Sequence, residues 1–152
     1  MTREQKRLVQ VSFQQIKPIA DTVASLFYSS LFDLDPGLED LFVGDSEEQG
    51  RKLMQLLGLA VEGLDRLDRL VPTLLALGSR HAAYGIDEHD YKAVQRALLW
   101  TLERALGAAF TPGVKAAWLA VYELLSNTVK AGARKAILVA VSEPDHRYVN
   151  AW

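Results

Sequence analysis

The run Leu74-Leu75-Ala76-Leu77-Gly78-Ser79-Arg80-His81-Ala82-Ala83-Tyr84-Gly85-Ile86-Asp87 decides how this chain reads. Leu67, Leu70, Val71, Leu74, Leu77 and His81 recur three and four residues apart, the period of one helix face. Tyr84-Gly85-Ile86-Asp87 then stops the helix. The pattern predicts a helix from near Asp65, bent or divided at Pro72, because proline's ring and missing N–H disturb a helix interior. An imidazole therefore ends an apolar stripe, one turn beyond Leu77. Taken alone, a histidine so placed is most simply a core side chain bonded to a backbone carbonyl, since periodicity says little about ligation.

Outward from this run the same period holds. A first helix is expected over about Arg3 to Lys17, with Leu8, Val11 and Phe13 among its apolar positions. Pro18 suits the first turn of a second helix carrying Val23, Phe27, Leu31 and Leu34, which ends near Asp35-Pro36-Gly37. A short turn, Leu38 to Phe42, follows. Asp45 or Ser46 can cap a third helix, with Glu47 and Glu48 in its first turn and an inward stripe of Gln49, Lys52, Leu53, Leu56, Leu57 and Ala60. Beyond Asp87 a long helix runs from about Glu88 to Leu106, closed by Gly107. Thr111-Pro112 then opens a last helix that reaches toward Val141. Strand-like alternation never persists. The expectation is an all-α domain of six to seven helices over residues 1–141, followed by a polar C-terminal tail, 142–152.

Composition narrows the chemistry. The 152 residues suit one domain with a proper core. The 17 basic and 19 acidic side chains, net charge -2, give no electrostatic reason to expect nucleic acid or an anionic membrane. No apolar stretch approaches the ~20 residues of a membrane span. The first residues lack a signal peptide's apolar centre, so a cytoplasmic location is the expectation. Cysteine is absent, which excludes disulfides, thiolate nucleophiles, iron–sulfur clusters and thiolate ligation of zinc or haem. Only three histidines are available: His81, His89 and His146. If a metal is held, one imidazole does most of the holding. His89, between Glu88 and Asp90 at a helix start, reads as solvated, and His146 as tail.

Three further residues alter the balance for His81. Gln49 is an uncharged polar group on an apolar stripe beside Leu53, Tyr28 adds a phenol near a buried face, and Phe42 places a ring before a loop. Each has an ordinary explanation: a boundary glutamine, a half-buried aromatic, a core phenylalanine. Together they outline a slot with one strong ligand on one side and two neutral hydrogen-bonding groups on the other.

At this point the chain resembles bacterial single-domain haemoglobins and the globin half of flavohaemoglobins. The stretches that carry the resemblance are Leu26-Phe27-Tyr28-Ser29-Ser30-Leu31-Phe32, Asp35-Pro36, Leu41-Phe42, Glu48-Gln49-Gly50-Arg51-Lys52-Leu53-Met54 and Arg80-His81-Ala82-Ala83-Tyr84-Gly85-Ile86. Tyr91, Leu106-Gly107 and Ala117-Trp118-Leu119-Ala120-Val121-Tyr122 continue it. The match covers roughly Glu4 to Lys130, and its specificity lies in the ordered set.

The resemblance implies a globin fold around a haem pocket. The cofactor it implies is haem b, iron protoporphyrin IX. His81 would be the proximal iron ligand, donating its other ring N–H to a carbonyl. Phe42 would stack on the porphyrin, while Leu77 and Tyr91 would contact it from the proximal side. Tyr28 and Gln49 would face bound gas, with Leu53 closing the distal pocket. Lys52 and Arg80 would meet the propionates, and Ala24 and Gly50 would let two helices cross closely. Two neutral donors suit retention of oxygen, nitric oxide or carbon monoxide better than rapid unloading. A glutamine amide is a poor iron ligand, so the sixth position is expected to stay open.

The chain departs from the flavohaemoglobin pattern in one residue. The late proximal glutamate falls on Ala133, which implies less imidazolate character on His81 and weaker redox chemistry. Reversible binding of oxygen, with a role such as oxygen transport or scavenging, is the leading expectation. Nitric oxide dioxygenation with an external reductase, and a globin-fold signalling module, are the alternatives. Monomer and homodimer are both compatible with the sequence.

Overall fold

The computed structural model describes residues 1–42 and 44–138, the last three of them as backbone only. Among these residues there are six α-helices: α1 (Arg3–Ile16), α2 (Ala20–Leu34), α3 (Ser46–Glu62), α4 (Leu67–Ala83), α5 (Glu88–Leu106) and α6 (Pro112–Leu138). Short 3-10 segments of three to six residues occupy the corners, and no strand is present among the described residues. The fold class is all-α, as the periodicity predicts. The tail 142–152, and any run of α6 toward Val141, lie outside the described residues.

Local chemistry fixes most helix starts. Thr2 and Gln5 form a reciprocal box at α1, with Gln5 N donating to Thr2 Oγ1 and Thr2 N donating to Gln5 Oε1, both at 3.0 Å. Asp45 caps α3 by accepting from Glu47 N at 3.0 Å. Asp87 and Asp90 form a second box at α5, at 3.1 and 2.8 Å. Thr111 Oγ1 accepts from Val114 N at the head of α6.

The prolines behave differently from expectation. Pro18 sits in a separate 3-10 turn, Lys17–Ile19, and α2 begins after it. Lys17 N can still close α1 onto Phe13 O, but Pro18 has no N–H to continue the ladder. The break before α4 falls at Gly63–Arg66, upstream of Pro72, which lies within α4. Pro72 is exposed and near the helix start, so the one bond it forfeits, to Asp68 O, faces water.

Packing is helix on helix. The extensive pairings are α4 with α6, α2 with α5, α1 with α6, and α2 with α3. Val9, Phe13 and Ile16 turn α1 inward, so Val11, about 200° around the helix from Val9, is 46% exposed rather than apolar core. Val71 also points out of the expected stripe of α4 and is 37% exposed. Trp118, in the N-terminal third of α6, is buried and donates its indole N–H to Ser12 Oγ at 2.8 Å, which ties α6 to α1.

Two glycines control the α4–α6 crossing. A Cβ on Gly78 would overlap the carbonyl oxygen of Val129, and one on Gly132 would overlap the carbonyl oxygen of Leu75. The two backbones are in direct contact there, one turn before His81. This contact positions the site.

Candidate functional site

A cavity opens between α2, α3, α4, α5 and α6. Phe27, Leu31 and Phe42 form one side, Leu53 and Leu57 a second, Leu74, Leu77 and His81 a third, and Val94, Leu98 and Leu125 the floor. The interior holds about 150 Å³. Its lining is almost wholly apolar, so the space favours a neutral or planar apolar occupant over an ordered water cluster.

His81 is the polar residue of the wall it forms with Leu74 and Leu77. It is only 7% exposed and lines the cavity. The helix ends just beyond it, where Tyr84 N and Ile86 N both donate to His81 O, at 3.2 and 3.0 Å. Gly85, at φ 72°, supplies the left-handed residue that this turn requires. Tyr91, the first inward residue of α5, puts its hydroxyl 3.4 Å from His81 Nδ1. Tyr122 donates to the Tyr91 carbonyl at 2.6 Å. Burial, followed by the neighbouring Tyr91 and Glu88, pushes the Tyr122 hydroxyl well above its usual range, so it remains a neutral donor. At the rim, Lys130 pairs with Glu88 at 2.9 Å and lies 5.0 Å from the Tyr91 ring centre.

Tyr28, Phe32 and Phe42 form a ring cluster. Phe42 meets Tyr28 edge-on at 5.4 Å, and Phe32 stacks on Tyr28 at 5.7 Å. The Tyr28 hydroxyl donates to the backbone carbonyl of Gln49 at 3.1 Å. Gln49 is buried, 6% exposed, and Gly50 beside it faces Ala24 at the α2–α3 crossing.

The structure thus gathers His81, Leu77, Tyr91, Leu53 and Phe42 on one cavity. Tyr28 and Gln49 touch each other beside it, and among the described residues they are not part of its lining. Lys52 lies outside, half-buried and 3.7 Å from Glu48 on its own helix, so the inward place given to it in the α3 stripe is not observed. Arg80 is exposed outside the lining. Ala133 packs its backbone against Gly78, so α6 brings only a methyl to the position of the missing acid.

Several features of the site carry no periodic signal. Asp90 lines the cavity, and its carboxyl is raised above the usual range, by burial first and then by a hydrogen bond with Asp35. His89, 72% exposed at its side chain, approaches the same Asp35 at 3.8 Å. Tyr122 was readable only as core. The paired glycines Gly78 and Gly132 offered a hint, since a glycine inside a strong helical pattern often marks a close approach.

A family model described as Globin matches residues 25–129. The chain belongs to the globin family. Among curated proteins it is 28% identical to neuroglobin-1 of Oncorhynchus mykiss and 29% identical to neuroglobin of Danio rerio, each over 89% of this chain and 94% of the relative. Among solved structures it superposes on an engineered carbene transferase from Rhodothermus marinus with a TM-score of 0.82, at 20% identity over 93% of this chain and 99% of that one. A hexacoordinated haem protein of a tardigrade gives a TM-score of 0.78 at 19% identity, over 88% and 96% of the two chains. The flavohaemoglobin of Malassezia yamatoensis gives 0.75 at 22% identity, and this globin spans 38% of that longer chain. The sequence resemblance pointed to bacterial globins; these curated relatives are vertebrate neuroglobins.

Proposed function

We propose that this globin holds one haem b in the cavity through His81 and uses it to bind a diatomic gas reversibly. The observation that supports this most is a single buried imidazole on an otherwise apolar wall, at the end of a helix locked in place by backbone contact. The family's haem-protein neighbours agree with it. The residues suit the group: a lone nitrogen ligand, a planar ring at Phe42, aliphatic side chains on both faces, and no thiolate to compete.

When bound, haem would be held by His81 and would supply an iron able to take up a gas such as oxygen, nitric oxide or carbon monoxide. The protein does the rest. Tyr91 and the Gly78–Gly132 contact hold the imidazole in one orientation. Leu53, Phe42 and Leu77 exclude water, which protects the ferrous state and strengthens any electrostatic interaction inside. Tyr28 and Gln49, which touch each other beside the cavity, would donate to a gas that gains negative charge. For that role the Tyr28 hydroxyl turns from the Gln49 carbonyl toward the cavity. An amide at Gln49, a poor iron ligand, would leave room for the gas.

Absorption spectra of the purified protein as isolated, reduced with dithionite, and exposed to carbon monoxide test this reading. A Soret band, a five-coordinate ferrous form and a sharp carbon monoxide shift are expected, and His81→Ala should lose the axial signature. A six-coordinate low-spin ferrous spectrum would overturn the open position. No Soret band after haem reconstitution would overturn the haem itself. Sustained nitric oxide consumption with an added reductase would mark the protein as a dioxygenase rather than a carrier.

A further inference from the structure

The third helix carries an unusual stripe: Gly50, Met54 and Gly58, spaced four residues apart on one face. Glycines one turn above and one turn below leave Met54 as the single side chain of that three-turn stripe. The stripe faces the corner between α1 and α2. A Cβ on Gly50 would stand 3.0 Å from the methyl of Ala24, and one on Gly58 would stand 3.6 Å from the Phe13 ring.

A second depression lies on the solvent side of this stripe. It is an open groove of about 570 Å³ lined by Phe13, Lys17, Ala20, Gly50, Met54 and Gly58 among others. Lys17 and Glu62 pair across it at 3.5 Å, and Asp21 and Arg51 border it as exposed charges. Met54 lines both this groove and the apolar cavity. It also packs against two separate core clusters, the one built on Phe13 and Trp118 and the one built on Phe27 and Leu53. One half-buried thioether side chain therefore stands between water and the cavity interior, at the end where Val23 and Leu57 form the wall.

From this geometry we infer that Met54 is the gate of a ligand passage, through which neutral diatomic gases reach the cavity between α3 and the α1–α2 corner. Methionine suits the task. It is unbranched, with three rotatable bonds, so it can leave its seat without the backbone moving. The glycines at 50 and 58 offer no neighbouring side chain to hold it. Charged solutes stop at the rim, because the space behind Met54 is apolar and gives no compensation for lost hydration. Small uncharged gases pay no such penalty. The inference rests on the haem-gas reading of the cavity and adds a route to it.

Flash photolysis of the carbon monoxide complex of the reconstituted ferrous protein tests the route. Met54→Trp should plug the passage, lowering the bimolecular association rate at least threefold and raising the geminate fraction. Met54→Ala should do the opposite. Glu103→Trp, at an exposed position of α5 outside both the groove and the cavity, should leave both unchanged. Xenon provides a readout independent of haem: under pressure it should shift the methyl resonances of Val23 and Leu57, and Met54→Trp should abolish or slow that response. If Met54→Trp fails to fold, as judged by circular dichroism, Met54→Ala and xenon decide. Haem-loaded variants with unchanged carbon monoxide rates and an unchanged xenon response would overturn the gate while leaving the haem reading intact. A protein that takes up no haem overturns that reading instead, and xenon still decides the passage.

Discussion

The two helix crossings that frame the cavity are built on opposite principles. At the proximal crossing, α4 and α6 meet backbone on backbone at Gly78 and Gly132, with no side chain able to intervene. At the distal crossing, α2 and α3 meet through the methyl of Ala24 against Gly50, and aromatic rings of Tyr28, Phe32 and Phe42 fill the space beyond. A carbonyl cannot yield to a methyl group, whereas a side chain can shift by tenths of an ångström. The proximal wall should therefore be stiff, and the distal wall adjustable. Under the proposed function, that division would keep the His81 nitrogen fixed while small molecules come and go opposite it.

Glycine replacement separates the two most sharply. Gly78→Ala forces a methyl into the Val129 carbonyl and should cost upwards of about 3 kcal/mol, with loss of haem retention or of folding. Gly50→Ala meets only the Ala24 methyl. The helix gains about 1 kcal/mol from losing a glycine, which offsets most of the crowding. Its net change should stay within about 1 kcal/mol. At Gly58 the added methyl finds ordinary contact with Phe13, so Gly58→Ala should be neutral to slightly stabilising. Urea unfolding of the three variants orders them. Equal losses at Gly78 and Gly50 would erase the contrast.

The next effect is on the anchor that holds α6 in place for the proximal crossing. Ser12→Ala leaves the buried Trp118 indole N–H without its acceptor and should cost about 1–3 kcal/mol. Tyr122→Phe removes one bond to the Tyr91 carbonyl and should cost about 1 kcal/mol. Because Tyr91 adjoins His81, Tyr122→Phe should also alter the ferrous spectrum of the haem form, and Ser12→Ala should not. Thermal melts and spectra of the same two samples separate a general loss of stability from a loss of imidazole orientation.

How much of this was legible beforehand depended on what kind of physics carried it. The long helix Glu88 to Leu106 and the apolar seat of His81 were readable because burial imposes a 3.6-residue period on the sequence. Helix corners were less so. Pro18 and Pro72 announce disturbance without saying which side of the proline the break takes. Val11 and Val71 look like core in any hydropathy pattern, and only the tertiary face chosen by Val9, Phe13 and Leu74 sends them to solvent. Within the site, Phe42, Leu53 and Leu77 followed from the family resemblance and fall on the cavity. The contact of Tyr28 with the Gln49 carbonyl did not follow, because hydroxyl direction is set by neighbours far apart in sequence. The Asp35–Asp90 contact was illegible for the same reason: 55 residues separate two ordinary helix-terminus carboxylates.

That last pair gives the smallest effect, and it bears on whether the distal and proximal halves are coupled through solvent pH. Asp90 lines the cavity from the start of α5, while Asp35 ends α2, the helix of the distal crossing. Burial and the Asp35 hydrogen bond hold the Asp90 carboxyl above its ordinary value, against the opposing pull of its cap with Asp87. A carboxyl raised in the folded state binds its proton more tightly there than in the unfolded chain. Its contribution is therefore present at acid pH and is lost as pH climbs from the unfolded value through the raised folded one. Stability attributable to this pair should decline modestly across the upper end of the carboxylate range. Asp90 is only half-buried, so the slope should be shallow. Asp90→Asn keeps a side-chain oxygen for the Asp87 N–H and removes the charge, and should flatten that slope without moving the midpoint far at acid pH. Melting temperatures of the two proteins at successive pH values provide the comparison. Parallel curves would mean that Asp90 adds no pH-dependent stability and does not couple the two ends of the cavity.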